Sequence, residues 1–198
     1  MFSAAAIQKR DKRFRMFLVA LFLLTQIGPV GARDNGRFAI RSAFAELQDD
    51  VFYLNARIDY QLSEAALEAL EGGARLNFKV QIELTGKRRL LPDSEIASLR
   101  QRYRLQFNAL TGRYLAQNAN SGEQVSFGSL DAALKHIGRI ARLPIIDASL
   151  LDEDRRYELA LRATLDIREL PAALRWLGFW WNDDLKIASE WYRWPLNR

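Results

Sequence analysis

Apolar and polar residues alternate with a period of two in three long stretches of the chain. Phe52, Leu54, Ala56, Ile58 and Tyr60 fall on one face, with Tyr53, Asn55, Arg57 and Asp59 on the other. Leu76, Phe78, Val80, Ile82 and Leu84 alternate in the same way with Asn77, Lys79, Gln81 and Glu83. So do Tyr157, Leu159, Leu161, Ala163, Leu165 and Ile167 with Glu158, Arg162 and Asp166. Successive side chains of a strand point to opposite faces. Each stretch therefore predicts a strand with one buried and one wetted face, which favours antiparallel or mixed pairing. Shorter strand candidates are 38–46, 101–108, 113–118, 123–127 and 185–194.

Between the strands the period changes to that of a helix. Ser63 is placed to cap a helix through Leu67 and Leu70, which Gly72 and Gly73 stop. Ser129 caps a second expected helix over 129–141, burying Leu130, Ala133, Leu134, Ile137 and Ala141. Pro171 suits the first turn of a third, carrying Leu174 and Leu177. The connections are short and acidic or amide-rich: 48–50, 118–123, 152–154 and 182–184. No Pro/Ser/Gly linker divides the chain. The expected fold is thus one compact α+β domain over 33–198, a mostly antiparallel or mixed sheet with three short helices. Residues 56–67 (ARIDYQLSEAAL) and 163–174 (ATLDIRELPAAL) echo each other. Either they are a duplicated strand–helix–strand unit, or two similar amphipathic patterns coincide.

The first 32 residues have a different grammar. Lys9, Arg10, Lys12, Arg13 and Arg15 precede the apolar run 16–25, Gly28 and Pro29 break it, and Val30-Gly31-Ala32 supplies small residues. That order is a secretory signal peptide with cleavage expected after Ala32. The other reading is an uncleaved anchor, although its apolar core is shorter than the roughly 20 residues a span prefers. The expected address is the periplasm, or the inner membrane if the signal is retained. This segment also changes the reading of the charge. The whole chain has 29 Lys and Arg against 24 Asp and Glu, a net +5. Residues 1–32 hold five of the basic and one of the acidic residues, which leaves 24 against 23 beyond them. A basic protein seeking nucleic acid becomes a nearly neutral exported domain, and no nucleic-acid partner is expected.

Candidate chemistry is sparse. Cys is absent and His occurs once, at His136, which removes thiolate chemistry, disulfides and His-rich metal sites. No phosphate-binding glycine loop and no nucleophile elbow is present, so no catalytic, cofactor-binding or metal-ligating residue is assigned. The acidic pairs Asp49-Asp50, Asp152-Glu153-Asp154 and Asp183-Asp184 fall in expected turns, where Asp satisfies local amides. His136 sits on the flank of its helix, the usual place of a surface or boundary histidine. Lys87-Arg88-Arg89 reads as a turn between elements.

Two features stand out as interaction surfaces. Arg100, Arg102 and Arg104 share the wet face of one strand. They would either hold an anionic lipid headgroup or acidic partner, or be neutralised by Glu and Asp of neighbouring strands. All five Trp lie within 176–194, and Phe179, Trp180 and Trp181 are consecutive in that cluster. Such a cluster either closes the core with a final strand and helix or presses Phe179, Trp180 and Trp181 into a membrane interface or a partner's pocket.

The run of landmarks 62–84, 103–114, the SLDAALKHIG stretch 129–138, 156–175 and the closing SEWYRW 189–194 resembles the exported proteobacterial family catalogued as domain of unknown function 4390. The resemblance covers nearly all of the chain beyond residue 32. It implies an exported α+β domain with no established catalytic residues, and it suggests a membrane sensor histidine kinase as partner. Three functional readings follow: a non-enzymatic binding module, a carboxylate-dependent hydrolase on envelope glycans with Trp platforms, and a lipid-binding protein.

Overall fold

The computed structural model describes residues 36–88, 92–166 and 186–197. They belong to one compact unit, Asp34–Arg198. The fold is α+β, dominated by antiparallel sheet. A three-stranded sheet has the order β1-β2-β7, where β1 is Arg37–Gln48, β2 is Val51–Gln61 and β7 is Arg139–Asp147. A seven-stranded sheet has the order β10-β8-β3-β4-β5-β6, with β9 also pairing β8. Its strands are β3 (Leu76–Gly86), β4 (Ser94–Asn108), β5 (Arg113–Asn118), β6 (Gln124–Phe127), β8 (Tyr157–Asp166), β9 (Lys186–Ala188) and β10 (Tyr192–Leu196).

The alternating stretches form the central strands, as their periodicity requires. The odd-even pattern of β3 buries Leu76, Phe78, Val80, Ile82 and Leu84 completely or nearly so. On β2 the same phase buries Phe52, Leu54, Ala56, Ile58 and Tyr60. The two apolar faces meet, and Phe78 is the point of contact. Its ring stacks at 6.0 Å on Phe38 of β1 and meets Tyr60 of β2 edge-on at 4.9 Å. Offset and edge-to-face aromatic pairs of this kind add to the gain from burial alone. The β1–β2 hairpin turns through Asp49 and Asp50, whose φ angles of 49° and 60° are what a two-residue turn matching strand twist demands.

Helix α1 (Glu64–Glu71) begins where expected, with Ser63 accepting a hydrogen bond from the Ala66 amide. It carries the chain from the smaller sheet to the larger. Helix α2 (Leu130–Ile137) carries it back, capped by Ser129 through the Ala132 amide. Here the expectation of a helix to 141 is corrected: α2 stops at Gly138 and Ala141 lies in β7. A Cβ at Gly138 would intrude on the carbonyl oxygen of Ile58, and the Gly138 carbonyl accepts the Ile58 amide at 2.8 Å. The backbone is thus pressed against β2, and the chain leaves the helix to pair with it. The strand over 139–147 was hidden because its pairing with β2 is irregular at two places and contains Pro144 on a sheet edge.

Of the two readings of the echo between 56–67 and 163–174, the topology does not support duplication. The strand after α1 joins the opposite sheet, whereas β9, which follows residues 167–185, pairs with β8 itself. The third expected helix, starting at Pro171, lies outside the described residues.

Candidate functional site

Arg100, Arg102 and Arg104 lie on β4 and all three are exposed. They project from the outer face of the larger sheet, and their alternation places the Cα atoms about 7 Å apart. Direct cross-strand partners decide whether such charges are neutralised. On the β3 side these are Gln81 for Arg100, Lys79 for Arg102 and Asn77 for Arg104. On the β5 side Gln117 stands opposite Arg104. The acids expected as neutralising partners are therefore amides and a further cation.

Two acids elsewhere on this face, Glu83 and Glu158, have other engagements. Glu83 accepts a hydrogen bond from Gln81 at 2.8 Å. Glu158 pairs with Lys87 at 3.1 Å, and Lys87 also meets Asp93 at 2.8 Å. Hydrogen bonds to Asp93 and then Glu158 hold the Lys87 ammonium above the usual lysine range, and the bond from Lys87 holds Asp93 below the usual carboxylate range. Among the described residues, none of the three arginines makes an ion pair. The backbone beneath them is clamped. Asn120, in the β5–β6 turn, accepts from the Arg102 amide and donates to the Arg100 carbonyl, each at 2.9 Å. At the Arg104 end, Arg75, Arg104, Gln106, Leu115, Gln117 and Gln124 line a depression of about 250 Å³.

The aromatic half of the expected surface divides. Phe179, Trp180 and Trp181 lie outside the described residues, as does Trp176. The closing strand is β10, which seals the larger sheet along β8. Trp194 packs against the core, and Trp191 lies under two guanidinium groups, Arg162 at 5.8 Å and Arg193 at 5.7 Å. The acidic turns behave locally. Asp49 and Asp50 make the β1–β2 turn, and Asp152 accepts the Asp154 amide at 3.1 Å. Asp183-Asp184 lies outside the described residues. No group of three His, Asp or Glu among the described residues is arranged to hold a metal ion. Nor is any described helix long and apolar enough to cross a membrane.

A second feature went unread in the sequence. Between β7 and the β4–β5 end of the larger sheet lies a cleft of about 350 Å³. Gln101 and Tyr103 of β4, Asn118 of β5 and Glu123 of the following turn line one wall, and His136, Arg139, Ile140, Ala141 and Leu143 the other. His136 is exposed, as its place on the helix flank led one to expect. Its ring rests 5.0 Å from Phe127 and borders a cleft shared with an acid, a guanidinium and a phenol. Burial, and secondly the charge of Glu123, raise the Tyr103 phenol above the usual tyrosine range. No Ser, Thr or Cys is among the residues that line the cleft.

Comparison with known proteins gives one result. Residues 35–195 match the model of a family described as Domain of unknown function (DUF4390). No curated protein and no solved structure matches the chain.

Proposed function

The chain belongs to the DUF4390 family, and from that premise we propose that it is an exported binding module whose arginine ridge meets an anionic membrane surface. The observation that carries this reading is the exposed row of Arg100, Arg102 and Arg104, whose direct partners on β3 are Gln81, Lys79 and Asn77 and which makes no ion pair among the described residues. A row of cations with no acid directly opposite it gains from an external anion, and guanidinium groups grip phosphate oxygens in pairs. The signal-like first 32 residues support delivery to the periplasmic side of a membrane, where phospholipid headgroups supply that anion. A membrane sensor histidine kinase with an acidic sensory region is the protein partner that would satisfy the same chemistry.

Each basic residue near an anionic bilayer contributes about 1 kcal/mol, so three together contribute about 3 kcal/mol, or roughly a hundredfold in partition. Co-sedimentation of the purified protein with vesicles tests this. It should partition onto vesicles containing phosphatidylglycerol and not onto pure phosphatidylcholine, with binding that weakens as salt rises. Replacing Arg100, Arg102 and Arg104 together by Gln should remove most of the binding while leaving the fold intact. Equal partition of the folded triple variant would refute the ridge as the contact.

A further inference from the structure

We propose that the cleft between β7 and the β4–β5 end of the larger sheet binds a small zwitterion, an amino acid or short peptide whose carboxylate meets Arg139 and whose ammonium meets Glu123. This site is separate from the arginine ridge. The ridge is on the outer face of β4, while Gln101 and Tyr103 line the cleft from the opposite face of that strand.

The first argument is charge. Arg139 and Glu123 border the same cleft, yet neither is ion-paired with the other or with another described residue. Two opposite charges held apart in one concave site leave a gap that a molecule carrying both charges would bridge. A simple anion would meet Arg139 but face repulsion from Glu123, and a simple cation the reverse. The field of Glu123 reaches the interior of the cleft, since its charge acts on Tyr103.

The second argument is the placement of the uncharged groups. The side-chain oxygen of Asn118 accepts from the amides of Asn120 and Ser121, at 2.9 and 3.3 Å. Its NH₂ is left to donate into the cleft. Gln101 adds an amide, and the neutral Tyr103 phenol adds an O–H. Ile140 and Leu143 on the facing wall offer an apolar surface for a side chain. The volume, about 350 Å³, is at the small end of the range that small-molecule sites occupy, about 300–1,000 Å³. The third argument is rigidity. The Glu123 carbonyl accepts the Asn118 amide at 2.8 Å, and the Glu123 amide donates to Ser121 at 3.2 Å. Across the cleft, Gly138 pins the start of β7 to β2 immediately before Arg139.

The test is a chemical-shift titration of the purified protein with L-alanyl-L-alanine, its N-acetyl form and its C-terminal amide. The free dipeptide should perturb Gln101, Asn118, His136 and Ala141 saturably. Each blocked form, having lost one charge, should bind about tenfold to a hundredfold more weakly. Arg139→Gln and Glu123→Gln should each weaken the free dipeptide by a similar factor. Glu123→Gln should leave the N-acetyl form, which lacks the ammonium, unweakened. The triple Gln variant of the ridge should bind the dipeptide like the wild type, so loss of vesicle binding and loss of dipeptide binding are independent results. No saturable shift in the folded wild type, or equal binding of free and blocked dipeptides, would overturn the proposal.

Discussion

Replacing Gly138 by Ala drives a methyl group into fixed backbone. The added Cβ would intrude on the Ile58 carbonyl oxygen and lie 3.2 Å from both the Ile58 carbonyl carbon and the Leu134 carbonyl oxygen. All three are backbone atoms, so no side chain can rotate away. Restoring an ordinary C···O separation of about 3.3 Å requires β2 and the α2–β7 junction to part by about 1 Å. Overpacking of this kind costs about 1–3 kcal/mol. The same displacement strains the 2.8 Å hydrogen bond from the Ile58 amide to the Gly138 carbonyl, worth about 1 kcal/mol net. The expected loss is therefore about 3 kcal/mol. For a domain of this size that lowers Tm by about 6–12 °C. Urea denaturation followed by tryptophan fluorescence would measure it, with Gly128→Ala as the control, since nothing lies within 4 Å of a Cβ at that position. The control should stay within about 0.5 kcal/mol of wild type. A Gly138→Ala midpoint that matched the control would refute the close approach of β7 to β2 on which the cleft depends.

Two further predictions concern buried polar groups. Tyr60 is buried between the sheets and its hydroxyl has no hydrogen-bond partner. Tyr60→Phe should therefore leave stability at neutral pH unchanged or raise it by up to about 1–2 kcal/mol, as measured by denaturation. Burial above all, with a smaller contribution from Tyr103, raises the Tyr60 phenol above its ordinary value of 10.0. The folded state thus retains a proton that the unfolded chain releases, and stability should fall as pH rises past that ordinary value. Tyr60→Phe should flatten that alkaline decline, and an unchanged decline would show that Tyr60 does not cause it. Ser63→Ala removes the cap on the Ala66 amide at a site only 2% exposed. It should cost about 1–2 kcal/mol by the same assay, and a change below about 0.3 kcal/mol would remove the cap from the account.

The parts of this fold that were legible in the sequence are those where local pattern and tertiary environment agree. β2, β3 and β8 bury one face throughout, so a period of two survived in their residues, broken in β8 only by the small Ala160. α1 and α2 announced themselves through Ser63 and Ser129, because capping is a local interaction. The errors occurred where tertiary contact overrode the pattern. Ile137 and Ala141 keep helical spacing, yet Gly138 lets the backbone approach Ile58 and begins a strand between them. In β7 the pairing irregularities, the positive φ of Arg142 and Pro144 broke the alternation that would have revealed it. The arginine ridge was readable because its three members share one strand. What could not be read was whether acids faced it, since register places Gln81, Lys79 and Asn77 there, and register is not written locally. The cleft was invisible for a similar reason. Glu123, His136 and Arg139 come together only when α2 carries the chain from one sheet to the other.

β4 thus carries arginines on its outer face and borders the cleft with its inner one. The ridge remains the central claim. Its most direct test is a photo-reactive amino acid placed at Arg102 in living cells, with Arg100 and Arg104 kept or both replaced by Gln. The account predicts a phospholipid adduct at position 102 that disappears when the flanking arginines are removed. An adduct that persists undiminished without them, or adducts to protein alone, would contradict a lipid-facing arginine ridge.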